Sequence, residues 1–325
     1  MKVALFSSQK YENAFFSQAI KNFIDIEFAY FEHNLNRDTV YLASGCDAVC
    51  VFVNDDLNAC VLAELAELGI KYIALRCAGY NNVDIESAHA LGLQVVRVPS
   101  YSPEAVAEHC MALILTLARK THKAYNRIRE ENFDLNGLLG FNIHNKTVGL
   151  IGCGKIGQAL VSILNGFGAH TLVYDPNIGE GSYTQVSLDM LLQQSDIISL
   201  HCPLTDTTHH LLDAQAFGKM KQGVMVINTS RGAIIDTRAC IAALKSNKIG
   251  YLGLDVYEQE SELFFKDRSE EIIQDDTFVR LSSFPNVLIT GHQGFFTQEA
   301  LTEIANTTLK NLHALKHKTH TPNLV

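Results

Sequence analysis

The sequence predicts an α/β protein built from two doubly wound parallel-sheet domains. Two successive series of short β-rich apolar runs alternate with helical patterns. One long helical pattern separates the two series. The chain has 325 residues, enough for two domains.

The first series is "VALFS" (3–7), "IEFAYF" (26–31), "AVCVFV" (48–53), "YIALRC" (72–77) and "LQVVRVP" (93–99). Helical patterns lie between these runs, such as "NACVLAELAELG" (58–69), with Gly69 as its C-terminal stop. The separating helix is expected over 102–130, with Ser102 as N-cap and Pro103 at the first helical position. It opens the second domain and is expected to pack between the two. It is also more apolar than a crossover needs, which fits a subunit interface. The second series is "KTVGLIG" (146–152), "TLVYD" (171–175), "IISLHC" (197–202), "VMVINT" (224–229), "YLGLDV" (251–256) and "VLITGH" (287–292). A last helix, from Thr297 to about Leu315, is expected to return to the first domain.

Composition narrows the function classes. The chain is 47% hydrophobic and 19% charged, with 6 Pro and a formal net charge of -9. Nothing in it is disordered by composition, and no basic block suggests nucleic acid or an anionic membrane as partner. No window reaches the ~18 apolar residues of a membrane span. The eight cysteines form no C-x-x-C pair and have no histidine at zinc spacing. Buried free thiols in a reducing cytoplasm, and no metal site, are therefore expected.

"GLIGCGKIGQAL" carries Gly152, Gly154 and Gly157 in G-x-G-x-x-G spacing after an apolar strand. Gly152 permits the tight turn and Gly154 the approach of a pyrophosphate. Gly157 permits close packing of the helix, whose N-terminus, with Lys155 and Ile156, receives the phosphates. Asp175 ends the next strand, where it accepts from ribose hydroxyls and repels a 2′-phosphate. Residues 176–183, "PNIGEGSY", offer no Arg or Lys for such a phosphate, so the cofactor is expected to be NAD.

Ligands of open parallel sheets bind beyond the carboxyl ends of the strands. Those ends carry Gly152, Asp175, His201, Cys202, Pro203, Thr229, Ser230, Arg231, Asp255 and His292 in the second series. Reduction of a 2-keto acid needs a cation for the carboxylate, a proton donor for the carbonyl oxygen and a carboxylate behind the donor. Arg231 offers the two-pronged cation. His292 is the candidate acid, and Glu260 its partner, with Glu258 as local competitor. Taken singly, His292 is one of 13 histidines, and Arg231 could serve a helix-terminal salt bridge. Their convergence on strand ends is what points to chemistry.

In order along the chain stand "LRCAGYNNVD" (75–84), "VPSYSPEAVAEH" (98–109), "IGCGKIG" (151–157), "SLHCPLT" (199–205), "NTSRGAIID" (228–236), "GLDVYEQE" (253–260) and "TGHQGFF" (290–296). Over nearly its whole length the chain resembles the D-isomer-specific 2-hydroxyacid dehydrogenases, and within them the bacterial fermentative NAD-dependent D-lactate dehydrogenases. The resemblance implies a flavodoxin-like substrate domain, 1–100 plus 297–325, and an inserted Rossmann-like NAD domain, 101–296, around a cleft. It implies that Arg231 binds and polarises the substrate and that Glu260, not Glu258, pairs with the acid/base His292. Asp255 is implied beside the nicotinamide. The amides of Ala78 and Gly79 are implied on the substrate carboxylate, and Tyr101 near the hinge. Gln293-Gly294 stands where many members carry Thr-Ala or Gln-Ala, and Phe295 and Phe296 then shape a pocket wall. The implied assembly is a homodimer or a tetramer. Another 2-hydroxy acid (phenyllactate, glycerate), or a dinucleotide-sensing corepressor role, is the alternative.

Overall fold

The computed structural model describes residues 1–177, 179 and 181–325. Two residues of the 176–183 segment, Ile178 and Glu180, lie outside the described residues. The chain divides into two compact units, Met1–Ser102 with Phe296–Val325, and Pro103–Phe295.

The first unit contains β1 (Lys2–Leu5), α1 (Lys10–Ala19), β2 (Glu27–Tyr30), β3 (Ala48–Val51), α2 (Ala59–Glu67), β4 (Tyr72–Leu75), α3 (Ile85–Ala90) and β5 (Gln94–Val96). The second contains α4 (Pro103–Arg119), α5 (Thr121–Arg129), β6 (Thr147–Ile151), α6 (Lys155–Gly166), β7 (His170–Tyr174), β8 (Thr184–Gln185), α7 (Leu188–Gln194), β9 (Ile197–Leu200), α8 (Ala214–Lys219), β10 (Val224–Asn228), α9 (Thr237–Lys245), β11 (Ile249–Leu254), α10 (Asp276–Ser282) and β12 (Val287–Ile289). The chain then completes the first unit with α11 (Gln298–Lys316).

The first unit's sheet has the order β2-β1-β3-β4-β5, with every pair parallel. This is the flavodoxin-like order. Both faces of β3 are covered, so all four of its residues are buried and the run reads as continuously apolar. Helix α11 belongs here because Ala305, Leu309, Leu312 and Leu315 share a core with Val3, Leu5, Phe16 and Ala74. The last residues extend the sheet: Val325 N donates to Val95 O at 3.0 Å.

The second unit's sheet runs β12-β11-β10-β9-β6-β7-β8, again parallel throughout. One core lies under α4 and α6, with Ile114, Leu117, Leu160 and Leu164 against Val148, Leu150 and Ile227. The other lies under α7 to α9, with Leu191, Phe217 and Leu244 against Ile198, Val226 and Leu252. All strand carboxyl ends of each sheet therefore share one edge.

The helix expected over 102–130 is two helices. Lys120 breaks it in the left-handed conformation, φ 53°. The carbonyl of Ala118, in the last turn of α4, accepts from Phe141 N at 3.2 Å, and Lys120 Nζ reaches Gly137 O at 2.9 Å. The loop that follows α5 thus takes up the end of α4, a long-range contact that helical periodicity cannot reveal. The apolarity of 103–119 is accounted for inside the unit, since Cys110, Met111, Leu113, Ile114, Leu117 and Ala118 are core residues. The exposed apolar side chains lie further on: Tyr125, Ile128, Phe133, Leu135 and Leu139.

A charged pair sits in the first unit's interior. Arg76, just past β4, is 0% exposed. Its Nε donates to Glu12 Oε1 at 3.0 Å, and its Nη2 donates to Glu12 Oε2 at 3.2 Å and to Ser7 O at 2.8 Å. Removing one member of such a pair strands the other charge away from water, whereas replacing both by apolar groups is close to neutral. Glu12→Ala is therefore expected to cost about 3–5 kcal/mol. Glu12→Leu combined with Arg76→Met should recover most of the loss. Urea unfolding of the two variants beside wild type measures this; equal midpoints for the single variant and wild type would remove the pair from the stability of the unit.

Candidate active site

Strand β6 ends at Gly152, whose φ of 89° is left-handed; a Cβ there would stand 2.6 Å from Cys202 N, at the end of β9. A Cβ on Gly157 would stand 2.8 Å from Gly152 O, so α6 can lie against the turn only with glycine at this position. Gly154 is the N-cap of α6 and supplies no side-chain cap, and the space beside its Cα is open. The first N–H groups of α6 are thus left for an anion. Lys155 is exposed beside them and Ile156 is half-buried. Asp175 braces this loop, its Oδ2 accepting from Cys153 N at 2.8 Å and its Oδ1 from Asn177 N at 2.9 Å. Each oxygen keeps a lone pair for a ribose hydroxyl. Nearby on the same sheet edge, Thr229 Oγ1 is buried without a hydrogen-bond partner among the described residues. An uncapped helix, a glycine turn and an orphaned hydroxyl fit a dinucleotide.

His201 and Cys202 follow β9, and exposed Pro203 comes next. His201 Nε2 is 2.8 Å from Ser199 Oγ. Burial pushes this imidazole down to about 4. His201 is accordingly a neutral group at physiological pH.

The loop after β10 aims Arg231. Asn228 is fully buried and ties the loop from within: its Nδ2 donates to Arg231 O at 2.9 Å and its Oδ1 accepts from Ser230 N at 3.0 Å. Ser230 Oγ donates to Cys202 O at 2.5 Å, joining the ends of β9 and β10. Arg231 Nη1 donates to Ser230 O at 2.8 Å. Its half-buried guanidinium has no carboxylate partner among the described residues. The neighbouring Gly232 is not in a left-handed turn. A side chain there would overlap the backbone of Tyr257, so glycine is needed for close approach rather than for turning.

His292 stands at φ 54° past β12, with Nδ1 2.8 Å from Glu260 Oε1. Glu260 Oε2 in turn accepts from Tyr257 N at 2.9 Å. A carboxylate only accepts, so Nδ1 carries the hydrogen and Nε2 is the nitrogen left for proton exchange. Glu258 faces elsewhere, toward His210 Nε2 at 2.8 Å and Thr237 Oγ1 at 2.7 Å. Phe295 is buried with its ring edge-on to His292, 6.5 Å between centroids.

Asp255 is 1% exposed. Its Oδ1 accepts from Thr290 Oγ1 at 2.6 Å and Gln293 N at 2.8 Å, and its Oδ2 from Gly294 N at 2.7 Å. His109 Nε2, from α4, is 3.1 Å from Oδ1. These partners hold the carboxyl below its usual range against the opposing pull of burial. Sequence reasoning missed Asn228, His109 and Thr290. A polar residue ending an apolar strand, and a histidine inside an apolar helix, were the available signals.

Ala78, Gly79, Tyr101 and Phe296 belong to the first unit. Ala78 and Gly79 are half-buried in the loop after β4. That loop is pinned by Arg97, whose Nη1 donates to Ala78 O at 2.9 Å and whose guanidinium lies 5.1 Å from the Tyr80 ring centroid. Tyr101 is half-buried just before α4, and Phe296 stacks edge-on against Tyr11 at 4.7 Å. Cysteine spacing gives no reason to expect a metal site, yet nitrogen and oxygen ligands do gather in the fold. Folding brings together His209, His210 and Glu258 in one unit, and Asp25, His313 and His317 in the other. In each group the two histidines are near neighbours in sequence and the carboxylate comes from a distant segment, which sequence spacing cannot reveal.

The sequence model of the D-isomer specific 2-hydroxyacid dehydrogenase NAD binding domain matches residues 111–294. A protein of Haemophilus influenzae described as a 2-hydroxyacid dehydrogenase homolog is 55% identical over 322 residues, 97% of this chain and 96% of its own. The D-lactate dehydrogenase of Escherichia coli is 53% identical over 327 residues, 99% of each. The apo-structure of D-lactate dehydrogenase from Escherichia coli superposes with a TM-score of 0.90 over 100% of both chains, at 50% identity.

The lowered pKa of His201 has a consequence for stability. A histidine whose folded pKa lies below its unfolded value of about 6.5 stabilises the fold above that pH. The contribution is lost as pH falls from about 6.5 to about 4, because only the unfolded chain takes up the proton. Because the residue is partly exposed, about 1–3 kcal/mol is expected over this window. The difference in unfolding free energy between wild type and His201→Gln should slope across this window and be flat above pH 7. A difference independent of pH would show that His201 titrates normally.

Proposed function

The chain belongs to the D-isomer specific 2-hydroxyacid dehydrogenase family, and we propose that it reduces pyruvate to D-lactate with NADH, reversibly, in fermentative regeneration of NAD. The observation that carries this reading is the Arg231 guanidinium, without a carboxylate partner among the described residues, on the same sheet edge as a histidine backed by a carboxylate, His292 with Glu260. The similarity to D-lactate dehydrogenase along the full chain supports the choice of substrate.

The turn from Gly152 to Gly157 and the start of α6, with Lys155 and Ile156, would hold the cofactor's pyrophosphate. Asp175 would hold the adenosine ribose. His201, Cys202, Pro203, Thr229 and Ser230 would line the rest of its path. Asp255 acts on this path indirectly, since its oxygens are occupied by the 290–294 turn. When bound, NADH supplies the hydride accepted by the keto carbon.

The protein's residues bind the substrate and move the proton. Arg231 takes the pyruvate carboxylate with its two-pronged fork and polarises the carbonyl. The amides of Ala78 and Gly79 bind the same carboxylate, Tyr101 contributes to holding the substrate, and Phe296 limits its side chain. His292 gives the proton on Nε2 to the carbonyl oxygen as it gains charge. Glu260 stabilises the imidazolium before transfer and keeps the ring from turning. In lactate oxidation, neutral His292 removes the hydroxyl proton through the same nitrogen.

The chain is a cytoplasmic homo-oligomer, a dimer or a tetramer, in this reading. The apolar side chains exposed on α5 and the loop after it support self-association. Eight free cysteines, seven of them buried, suit a reducing compartment. No helix among the described residues is long and apolar enough to cross a membrane.

NADH oxidation with pyruvate, with the product assayed for chirality, tests the reading. His292→Gln is expected to lower kcat about 10²–10⁴-fold. Arg231→Lys should raise the KM for pyruvate strongly, since an ammonium cannot make the bidentate contact. L-lactate as product would overturn the assignment. So would turnover within a factor of about three of wild type for His292→Gln, a loss far below that of a positioned acid.

A further inference from the structure

The last turns of α11 carry His313 and His317, four positions apart and so on one face of the helix. Asp25, in the turn before β2, meets them from the other end of the chain. His317 Nε2 is 2.8 Å from Asp25 Oδ2, across 292 positions of sequence. His313 Nδ1 is 3.6 Å from Asp25 Oδ1, too long for a hydrogen bond. The two imidazole centroids are 4.3 Å apart, and one ligand atom from each of the three residues lies within 4.8 Å of the others. His313 Nδ1 is shielded from solvent and has no hydrogen-bond partner among the described residues. Its ring is set by Phe23, edge-on at 5.6 Å.

From this geometry we propose that Asp25, His313 and His317 form a binding site for zinc or a similar borderline divalent cation. Zinc bonds nitrogen and carboxylate oxygen at about 2.0–2.2 Å, which places tetrahedral ligand atoms about 3.4 Å from one another. The gap between His313 Nδ1 and Asp25 Oδ1 is close to that span, and the orphaned nitrogen gains a partner. Two imidazoles and one carboxylate suit zinc, nickel or copper, with water in the fourth position. Calcium and magnesium, which want oxygen ligands, are excluded. Two cations stand beside the site, and one of them contacts the carboxylate. Lys316 Nζ lies 3.0 Å from Asp25 Oδ2, but it also donates to Asp25 O at 2.7 Å, as does the Met1 ammonium at 2.7 Å. Both keep that carbonyl when the carboxylate turns to a metal. The ion ties the start of the chain to the helix that completes the same unit, and its role is structural.

The test is a titration of the full-length, chelator-treated protein with zinc alone, followed by calorimetry and thermal unfolding. One zinc ion per chain is expected, with a rise in Tm that grows with zinc concentration. His313→Ala and His317→Ala, both at exposed positions, should each weaken binding about tenfold or more and lose most of the rise. Turnover with NADH and pyruvate should be unchanged in both, so the outcome is independent of the catalytic reading. Magnesium should give no rise. Absence of saturable binding at micromolar zinc would overturn the site. So would equal binding by wild type and the His313→Ala/His317→Ala double variant, which would place the ion elsewhere, for instance at His209, His210 and Glu258.

Discussion

The carboxylate of Asp255, withdrawn from water at the end of β11, fixes the part of the second unit on which the proposed chemistry rests. Two backbone amides, a hydroxyl and an imidazole converge on it. A buried carboxylate without such partners would be protonated or expelled, so the 290–294 turn and His109 must close around it. That closure holds His292 in a left-handed backbone conformation that residues other than glycine seldom adopt. It also places the ring where Glu260 can take Nδ1. The His292–Glu260 geometry is therefore a by-product of satisfying one buried charge.

A parallel sheet supplies the second constraint. Because every strand in each unit runs the same way, each loop leaving a carboxyl end opens on the same edge. The glycine turn, His201, the Asn228-braced loop and Asp255 are scattered over more than a hundred residues of sequence, yet they become neighbours through strand order alone. Asn228 illustrates how local precision is added. Its amide substitutes for missing ladder hydrogen bonds on the Ser230–Arg231 loop, so the guanidinium is carried by a stiff base.

Much of this was legible in the sequence, because buried parallel strands are written as continuous apolar runs and dinucleotide loops as glycine spacing. "AVCVFV" and "VMVINT" became β3 and β10 within two residues of their expected ends. What was not legible depends on contacts between distant segments. The break at Lys120 depends on Phe141 reaching Ala118. The edge strand β8 is two residues long and exposed, so it leaves no apolar pattern. His109 meets Asp255 across 146 positions. Residue reading alone left Glu258 and Glu260 as rivals. The resemblance chose Glu260, and the distances give the reason: each carboxylate has its own histidine.

That division of partners bears on how a protein of net charge -9 would hold the anionic substrate proposed for it. At physiological ionic strength the repulsion from distant carboxylates is screened beyond about 8 Å, so the local field decides. The backbone of Tyr257 and Glu258 lies against Gly232, next to Arg231, so two glutamates follow β11 on this side of the sheet. Glu258 is instead held by His210 and Thr237, and Glu260 by His292 and the amide of Tyr257. Both acids are engaged with partners other than the arginine. Arg231 is thus left, among the described residues, as a half-buried fork without a carboxylate, and in the proposed reaction a carboxylate from outside the chain would complete it.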